Sequence, residues 1–132
     1  MKELNEYLNY DVIRNYIFKE EYHLSNYIVE EYFLQLDEDI QYKVLSSFYW
    51  DRDFNRTQIF KKLFQDNKDV NIQKLILKSN LPLMKYINNI DEKIQMKMIE
   101  KNPFNIKYIN NASPKVIEKA TSMNPQVKDY IR

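Results

Sequence analysis

The second half of the chain repeats its hydrophobic and polar positions with a period of 22 residues. Tyr-Ile pairs recur at positions 86–87, 108–109 and 130–131, and Asn-Pro pairs recur at 102–103 and 124–125. Within each period, a residue type that caps helix N-termini returns every 11 residues. These capping residues are Asp69, Asn80, Asp91, Asn102, Ser113 and Asn124. The pattern therefore predicts that each unit is a pair of short helices.

Apolar residues form one stripe along each predicted helix. In the first helix of a unit they stand three and seven positions after the cap, as Ile94 and Met98 do. In the second helix they stand four, six and seven positions after it, as Ile106, Tyr108 and Ile109 do. Such short amphipathic helices are unstable alone in water, so neighbouring units must cover each other's stripes. We therefore predict an all-α fold, a short α-solenoid of stacked two-helix repeats.

The first half of the chain follows the same pattern less regularly. Residues 37–45 align without gaps on residues 91–99, which predicts another repeat helix starting at Asp37. The next repeat helix begins at Asp69, 32 residues later, and the unit is therefore ten residues longer than the period. We place this insertion near residues 48–56.

We expect the insertion to be followed by a helix that Thr57 caps and that ends at Phe64. A chain of 132 residues is expected to form one domain. The predicted parts are irregular helices over 1–36, a degenerate repeat over 37–68, and regular repeats over 69–90, 91–112 and 113–132.

Composition restricts the chemistry that this chain can perform. It contains no glycine and no cysteine, and His23 is its only histidine. A phosphate-cradling loop needs glycine, and thiolate or multi-histidine metal sites need more cysteine or histidine. We therefore predict no metal, no cofactor and no enzymatic activity. No apolar run approaches the length of a membrane helix, and the acidic start is unlike a signal peptide, which predicts a cytoplasmic protein without a membrane partner.

Two segments carry a more specific pattern. Asp91–Gln95 has the form Asp-Glu-x-Ile-Gln, and Asn102–Ile109 has the form Asn-Pro-x-x-Ile-x-Tyr-Ile. In these segments the chain resembles short helical repeats of unknown function in phage, giant-virus and bacterial proteins. The resemblance implies an α-solenoid and supplies no catalytic residues. Small phage proteins of this composition are associated with inhibition of host defence, so it also implies an anti-CRISPR-like inhibitor.

The inserted segment contains residue types that dominate the energetics of protein interfaces. Trp50 is the only tryptophan of the chain, and Tyr49, Arg52 and Asp53 lie beside it. One interpretation places these four residues against a partner protein. In the other, Trp50 and Phe54 lie four residues apart on one helix face and fill the core, which leaves the other three as exposed contacts.

Charge divides the chain into an acidic and a basic half. Residues 1–68 carry nine Lys/Arg and thirteen Asp/Glu (net −4), whereas residues 69–132 carry eleven and six (net +5). Glu30 and Glu31 belong to an acidic, tyrosine-rich stretch that either faces a basic partner or is a solvated helix face. Our first hypothesis is a protein-binding module that sterically blocks a nuclease complex such as a CRISPR effector. Its predicted contact residues are Glu30, Glu31, Tyr49, Trp50, Arg52 and Asp53.

Lysines in the basic half recur at the repeat spacing and are expected to lie in rows. The rows either follow the phosphates of a nucleic acid, the second hypothesis, or serve solubility. Their members are Lys85, Lys93, Lys97, Lys107, Lys115 and Lys119. A homo-oligomeric structural protein is the third hypothesis. The asparagine pairs at 88–89 and 110–111 are either ligand contacts on a concave edge or turn residues that accept left-handed geometry, and we favour the turn interpretation.

Overall fold

The computed structural model describes residues 26–47 and 49–132, apart from the side chains of residues 27, 28 and 49. These residues are mostly helical and include no strand, which confirms the predicted all-α class. The chain divides into two compact units, Met1–Ile59 and Phe60–Arg132. This division lies inside the segment 37–68 that the sequence assigns to the degenerate repeat.

The described helices follow one another closely along the chain. Seven are α-helices and four are short 3-10 helices, within residues 26–47 and 49–132. The α-helices are α1 (Asn26–Tyr32), α2 (Glu38–Leu45), α3 (Tyr49–Arg52), α4 (Phe54–Phe64), α5 (Val70–Ser79), α6 (Glu92–Lys101) and α7 (Pro114–Met123). The 3-10 helices are η1 (Phe33–Gln35), η2 (Leu81–Tyr86), η3 (Pro103–Tyr108) and η4 (Pro125–Tyr130).

The long helix of each regular repeat begins at its predicted cap. The side chains of Asp69, Asp91 and Ser113 accept hydrogen bonds from backbone N–H groups two or three residues later, at 2.9, 2.9 and 3.2 Å. These bonds satisfy N–H groups that the first turn of a helix leaves unpaired. The apolar stripe faces the core as predicted. Its buried members are Ile76, Leu77, Ile94, Met98, Ile99, Val116 and Ala120.

The second element of each repeat differs from the prediction because it is a six-residue 3-10 helix, η2, η3 or η4, rather than an α-helix. Pairs spaced by three residues, Met84 with Ile87 and Ile106 with Ile109, are fully or almost fully buried. Three residues make one turn of a 3-10 helix, so this spacing keeps both side chains on one side. η2 contacts η3 and η3 contacts η4, as do α5 with α6 and α6 with α7.

The inserted segment also differs from the prediction. Asp53, not Thr57, begins α4, because its Oδ1 accepts a hydrogen bond from the backbone N–H of Arg56 at 3.1 Å. The Thr57 hydroxyl instead donates to the carbonyl of Trp50 at 2.6 Å. Since α3 ends at Arg52 and α4 starts one residue after Asp53, Trp50 and Phe54 do not share a helix face.

Two buried glutamines connect successive repeats. The side chain of Gln73 donates to the carbonyl of Asn89 and accepts from the backbone N–H of Asp91, both at 2.9 Å. Gln95 accepts in the same way from the backbone N–H of Ser113, at 3.0 Å. In both cases the glutamine bonds the capping residue of the following repeat helix, 18 residues later. The repeats are thus joined by hydrogen bonds as well as by apolar contacts.

A left-handed residue closes the turn between η3 and α7. Asn111 has φ of 57° and is the one non-glycine residue with positive φ in the part of the chain that the structure describes. The turn interpretation is therefore confirmed for Asn111, whereas the other three asparagines of the two pairs have ordinary φ. Asparagine tolerates this region better than residues with an apolar Cβ branch.

Replacing Asn111 by alanine is therefore expected to reduce the free energy of unfolding by about 1 kcal/mol, whereas Asn111→Gly is expected to cause no loss. Urea unfolding followed by circular dichroism measures both. Asn89→Ala, at an exposed position with ordinary φ, is the matched control and should leave stability within about 0.5 kcal/mol of wild type. Equal costs for the two alanine variants would contradict the assignment.

Candidate functional site

Trp50 lies in the core of the first unit. Its exposed fraction is 0 %, and its indole N–H donates to the carbonyl of Val44 at 2.7 Å. The ring meets Phe33 edge-on at 6.4 Å between centroids, and the Arg56 guanidinium lies over it at 5.3 Å. This surrounding satisfies both the apolar and the polar part of the side chain. Trp50 is therefore a core residue, as the alternative interpretation held, and the prediction that it contacts a partner is wrong.

Arg56 is a buried cation that the sequence did not single out. Only 4 % of it is exposed, and burial lowers the pKa of its guanidinium, while the nearby Asp53 carboxylate opposes that shift. The signal in the sequence was present, since Arg56 occupies the third position after the capping Asp53. Asp53 thus stabilises both the start of α4 and the charge of Arg56.

Phe54 is the most exposed large apolar side chain among the described residues, at 75 %. The interpretation that it fills the core together with Trp50 is wrong for this residue. Arg52 and Asp53, directly before it, are exposed as predicted. We call Arg52, Asp53 and Phe54 the Phe54 patch. An aromatic ring beside a guanidinium and a carboxylate is typical of the residues that anchor protein interfaces.

The acidic side chains of the first unit are placed as follows. Glu31 is exposed and Glu30 is half-buried, and both belong to α1. The next three carboxylates, at the start of α2, are also exposed: Asp37, Glu38 and Asp39. Tyr49 begins α3, but its side chain lies outside the described structure, as do His23 and the acidic residues before Asn26.

The predicted lysine rows are largely solvent-exposed. Lys85 is half-buried, and the other five members, at 93, 97, 107, 115 and 119, are exposed. Between residues 60 and 132 the chain carries fourteen Lys/Arg and seven Asp/Glu, a net charge of +7. The structure does not gather the six lysines at one place. It assigns Lys85 and Lys97 to two different grooves of the second unit.

The first groove has a volume of about 560 Å³ and includes Tyr86 in its lining. We call it the tyrosine groove. The ammonium groups of Lys61 and Lys85 lie over the Tyr86 ring, at 5.5 and 5.1 Å from its centroid. The edge of the Phe60 ring supports the tyrosine at 5.9 Å between centroids. The lining residues are Lys61, Gln65, Lys85, Tyr86, Asn88, Asn110, Asn111 and Arg132.

Asn110 and Arg132 both line this groove and lie at equivalent positions of successive repeats. The Asn110 side-chain amide donates to the carbonyls of Lys85 and Ile87, at 2.5 and 3.2 Å. One period later, the Arg132 guanidinium donates to the carbonyl of Lys107 at 3.4 Å. Sequence reasoning missed Lys61 and Arg132, although the 22-residue spacing from Asn110 to Arg132 was available as a signal.

The second groove lies along α5 and α6 and has a volume of about 650 Å³. Its lysines form two pairs spaced by four residues, Lys74 with Lys78 on α5 and Lys97 with Lys101 on α6. Like charges at this spacing repel each other along a helix. Leu77 and Glu100 complete the lining. Only Lys97 of these residues was among the predicted candidates.

Neither a metal cluster nor a membrane span is found within residues 26–47 and 49–132. No three or more histidine, aspartate or glutamate side chains come together there in a way that could hold a metal ion. None of the helices there combines the length and apolarity needed to cross a membrane.

Comparison with known proteins adds no relative to this description. The chain matches no protein-family model, and neither the curated proteins nor the solved structures contain a match.

Proposed function

We propose that this protein is a non-enzymatic protein-binding module in which residues 69–132 form a short α-solenoid. Two observations support the solenoid. Consecutive repeat helices contact each other, and a buried glutamine of one repeat bonds the capping residue of the next. Stacked repeats of this kind serve as rigid scaffolds for binding because their exposed faces are large relative to their core.

The single observation that carries the protein-binding proposal is the exposure of Phe54. A phenyl ring that is 75 % exposed gains little from the fold, whereas it would lose most of its contact with water in an interface. Arg52 and Asp53 beside it provide polar groups that can fix the orientation of a partner. The Phe54 patch thus replaces Trp50 as the aromatic centre of the predicted contact region.

The exposed carboxylates of α1 and α2 indicate the charge of the partner. Glu31, Asp37, Glu38 and Asp39 would accelerate the encounter with a basic protein surface and would repel an acidic one. Proteins that process nucleic acids present such basic surfaces. In its most specific form, the proposal is therefore that the module sterically blocks a host nuclease complex such as a CRISPR effector.

The test compares capture by wild-type protein and by the Phe54→Ala variant. Immobilised full-length protein is incubated with bacterial lysate, the retained proteins are identified by mass spectrometry, and the affinity of each is measured after purification. Phe54→Ala is expected to weaken the specific partner about tenfold or more, because truncation of an interface anchor costs more than 1 kcal/mol. Its stability should remain within about 0.5 kcal/mol of wild type, since the ring is exposed.

Leu34→Ala is the matched control for this experiment. Leu34 is also a large exposed apolar residue of the first unit, at 54 %, but lies outside the Phe54 patch. It should leave the affinity unchanged. Wild-type affinity in Phe54→Ala, or loss of the partner in Lys97→Glu with Phe54 intact, would overturn the proposal.

A further inference from the structure

The tyrosine groove carries cations at separate points of its lining. Lys61 and Lys85 lie beside Tyr86, and Arg132 follows η4. The described residues that line the groove include no carboxylate, but the carboxylate of Asp66 accepts a hydrogen bond from the side chain of the lining residue Asn88 at 2.9 Å. The three cations of the lining and this carboxylate together give a local charge of +2. Its amide groups, from Asn88, Asn110, Asn111 and Gln65, are polar but uncharged. The chemistry of this lining is selective for an anionic ligand.

The two lysines are positioned before any ligand binds. Both ammonium groups lie over the same Tyr86 ring, at 5.5 Å (Lys61) and 5.1 Å (Lys85) from its centroid. The two nitrogens are therefore no further apart than the sum of these two distances. The attraction between a cation and an aromatic face restricts both side chains to this region. Phe60, which is fully buried, holds the Tyr86 ring from the core side.

The backbone beneath the groove is also fixed. The side chain of Asn110 donates to the carbonyls of Lys85 and Ile87, on both sides of Tyr86. Asn110 follows these residues by more than 20 positions in the chain. This bond holds η2 against the turn that follows η3. Because both bonds use the side-chain N–H₂ group, the polar atom that Asn110 has left is its carbonyl oxygen, an acceptor.

Arg132 provides a different kind of cation. Its bond to the carbonyl of Lys107 uses one of the five N–H groups of a guanidinium. The planar fork of the guanidinium matches the oxygens of a phosphate better than an ammonium group does. Asn111, exposed and in the left-handed conformation, lies on the same lining.

We propose that the tyrosine groove binds a single-stranded nucleic acid, with Lys61, Lys85 and Arg132 contacting its phosphates. The spacing of cations across separate repeats suits a ligand with several anionic groups along a chain, rather than one isolated anion. Amide side chains between the cations can exchange hydrogen bonds with base edges, which offer both donors and acceptors. This pairing of charges with amides favours a nucleic acid over an acidic peptide, whose side chains offer acceptors alone. The proposal concerns the second unit and is independent of the Phe54 patch.

The test measures binding of a fluorescein-labelled single strand of about 12 nucleotides by fluorescence anisotropy, at salt concentrations between about 50 and 200 mM. The full chain is used in every case. Wild-type protein is expected to bind with a salt slope, log K against log salt, of about −2, since three phosphate contacts contribute about 0.7 each. The double variant Lys85→Gln/Arg132→Gln is expected to bind about tenfold more weakly or worse, with a slope of about −0.7.

The control variant is Lys93→Gln/Lys119→Gln, which removes the same charge from exposed positions outside both grooves. It should change the affinity less than about threefold, and circular dichroism should show that both double variants are folded. If Lys85→Gln/Arg132→Gln fails to fold, Lys61→Gln provides the test, with a slope reduced by about 0.7. Absence of binding at the lowest salt, or equal loss in the control, would overturn the proposal. So would equally tight binding of a DNA duplex of the same length, or equal competition by a poly-glutamate peptide.

Discussion

Replacing Trp50 with alanine is expected to lower the free energy of unfolding by about 3–5 kcal/mol. The substitution removes a fully buried ring and leaves a cavity beside Phe33. It also removes the donor to the Val44 carbonyl and the aromatic face beneath the buried Arg56 cation. Since the chain has no second tryptophan, urea unfolding of this variant is followed by far-ultraviolet circular dichroism.

Two further variants make the Trp50 result specific. Trp50→Phe keeps an aromatic ring but not the N–H group, so about 1–2 kcal/mol of the loss should remain. Phe54→Ala, four residues later but 75 % exposed, should cost less than about 0.5 kcal/mol. If alanine at position 50 cost no more than alanine at position 54, the assignment of Trp50 to the core would be incorrect. Any effect of Trp50→Ala on partner binding is expected to arise from this loss of stability.

The second large effect is expected for Gln73→Met, at about 2–4 kcal/mol. Gln73 is 1 % exposed. Its amide donates to the carbonyls of Asn67 and Asn89, at 3.2 and 2.9 Å, and accepts from the backbone N–H of Asp91 at 2.9 Å. Methionine has a similar length and flexibility but cannot replace these bonds, so three partly buried backbone groups lose a partner.

Thermal and urea unfolding measure the cost of Gln73→Met directly. Gln126→Met is the matched control, because the side chain of Gln126 is exposed in η4 of the same unit. The control should remain within about 0.5 kcal/mol of wild type. A Gln73 variant as stable as this control would mean that the hydrogen bonds between repeats contribute nothing to the fold.

The regular repeat helices were predictable because their signals are local. A capping side chain bonds a backbone group two or three residues away, and an apolar stripe is visible in the spacing of neighbouring residues. The 3-10 helices were not distinguished from α-helices, since apolar residues three apart, such as Ile106 and Ile109, fit both. The break between α3 and α4 was missed because Asp53 is equally compatible with a short exposed turn of helix and with a cap.

The candidate site was less predictable because its residues come from distant parts of the chain. Only the packing of separate elements brings Lys61 over the Tyr86 ring and brings Asn110 to the carbonyls on either side of Tyr86. No local motif relates residues so far apart. The exposure of Phe54 was missed for a related reason: because the helix is broken before Phe54, this residue does not share a helix face with the buried Trp50.

The glutamine bonds between repeats also have a polarity. Each glutamine faces forward along the chain, offering its side-chain oxygen to the N–H at the head of the next long helix. The corresponding position of the following repeat is occupied by Ile117. The helix that contains Ile117 receives the bond from Gln95 at Ser113, but Ile117 has no side-chain amide with which to bond a later helix. Single side chains therefore specify the order of the repeats. If two repeats were exchanged so that Ile117 took the place of a glutamine, an alkyl group would stand where the capping N–H of the next helix needs a hydrogen-bond acceptor.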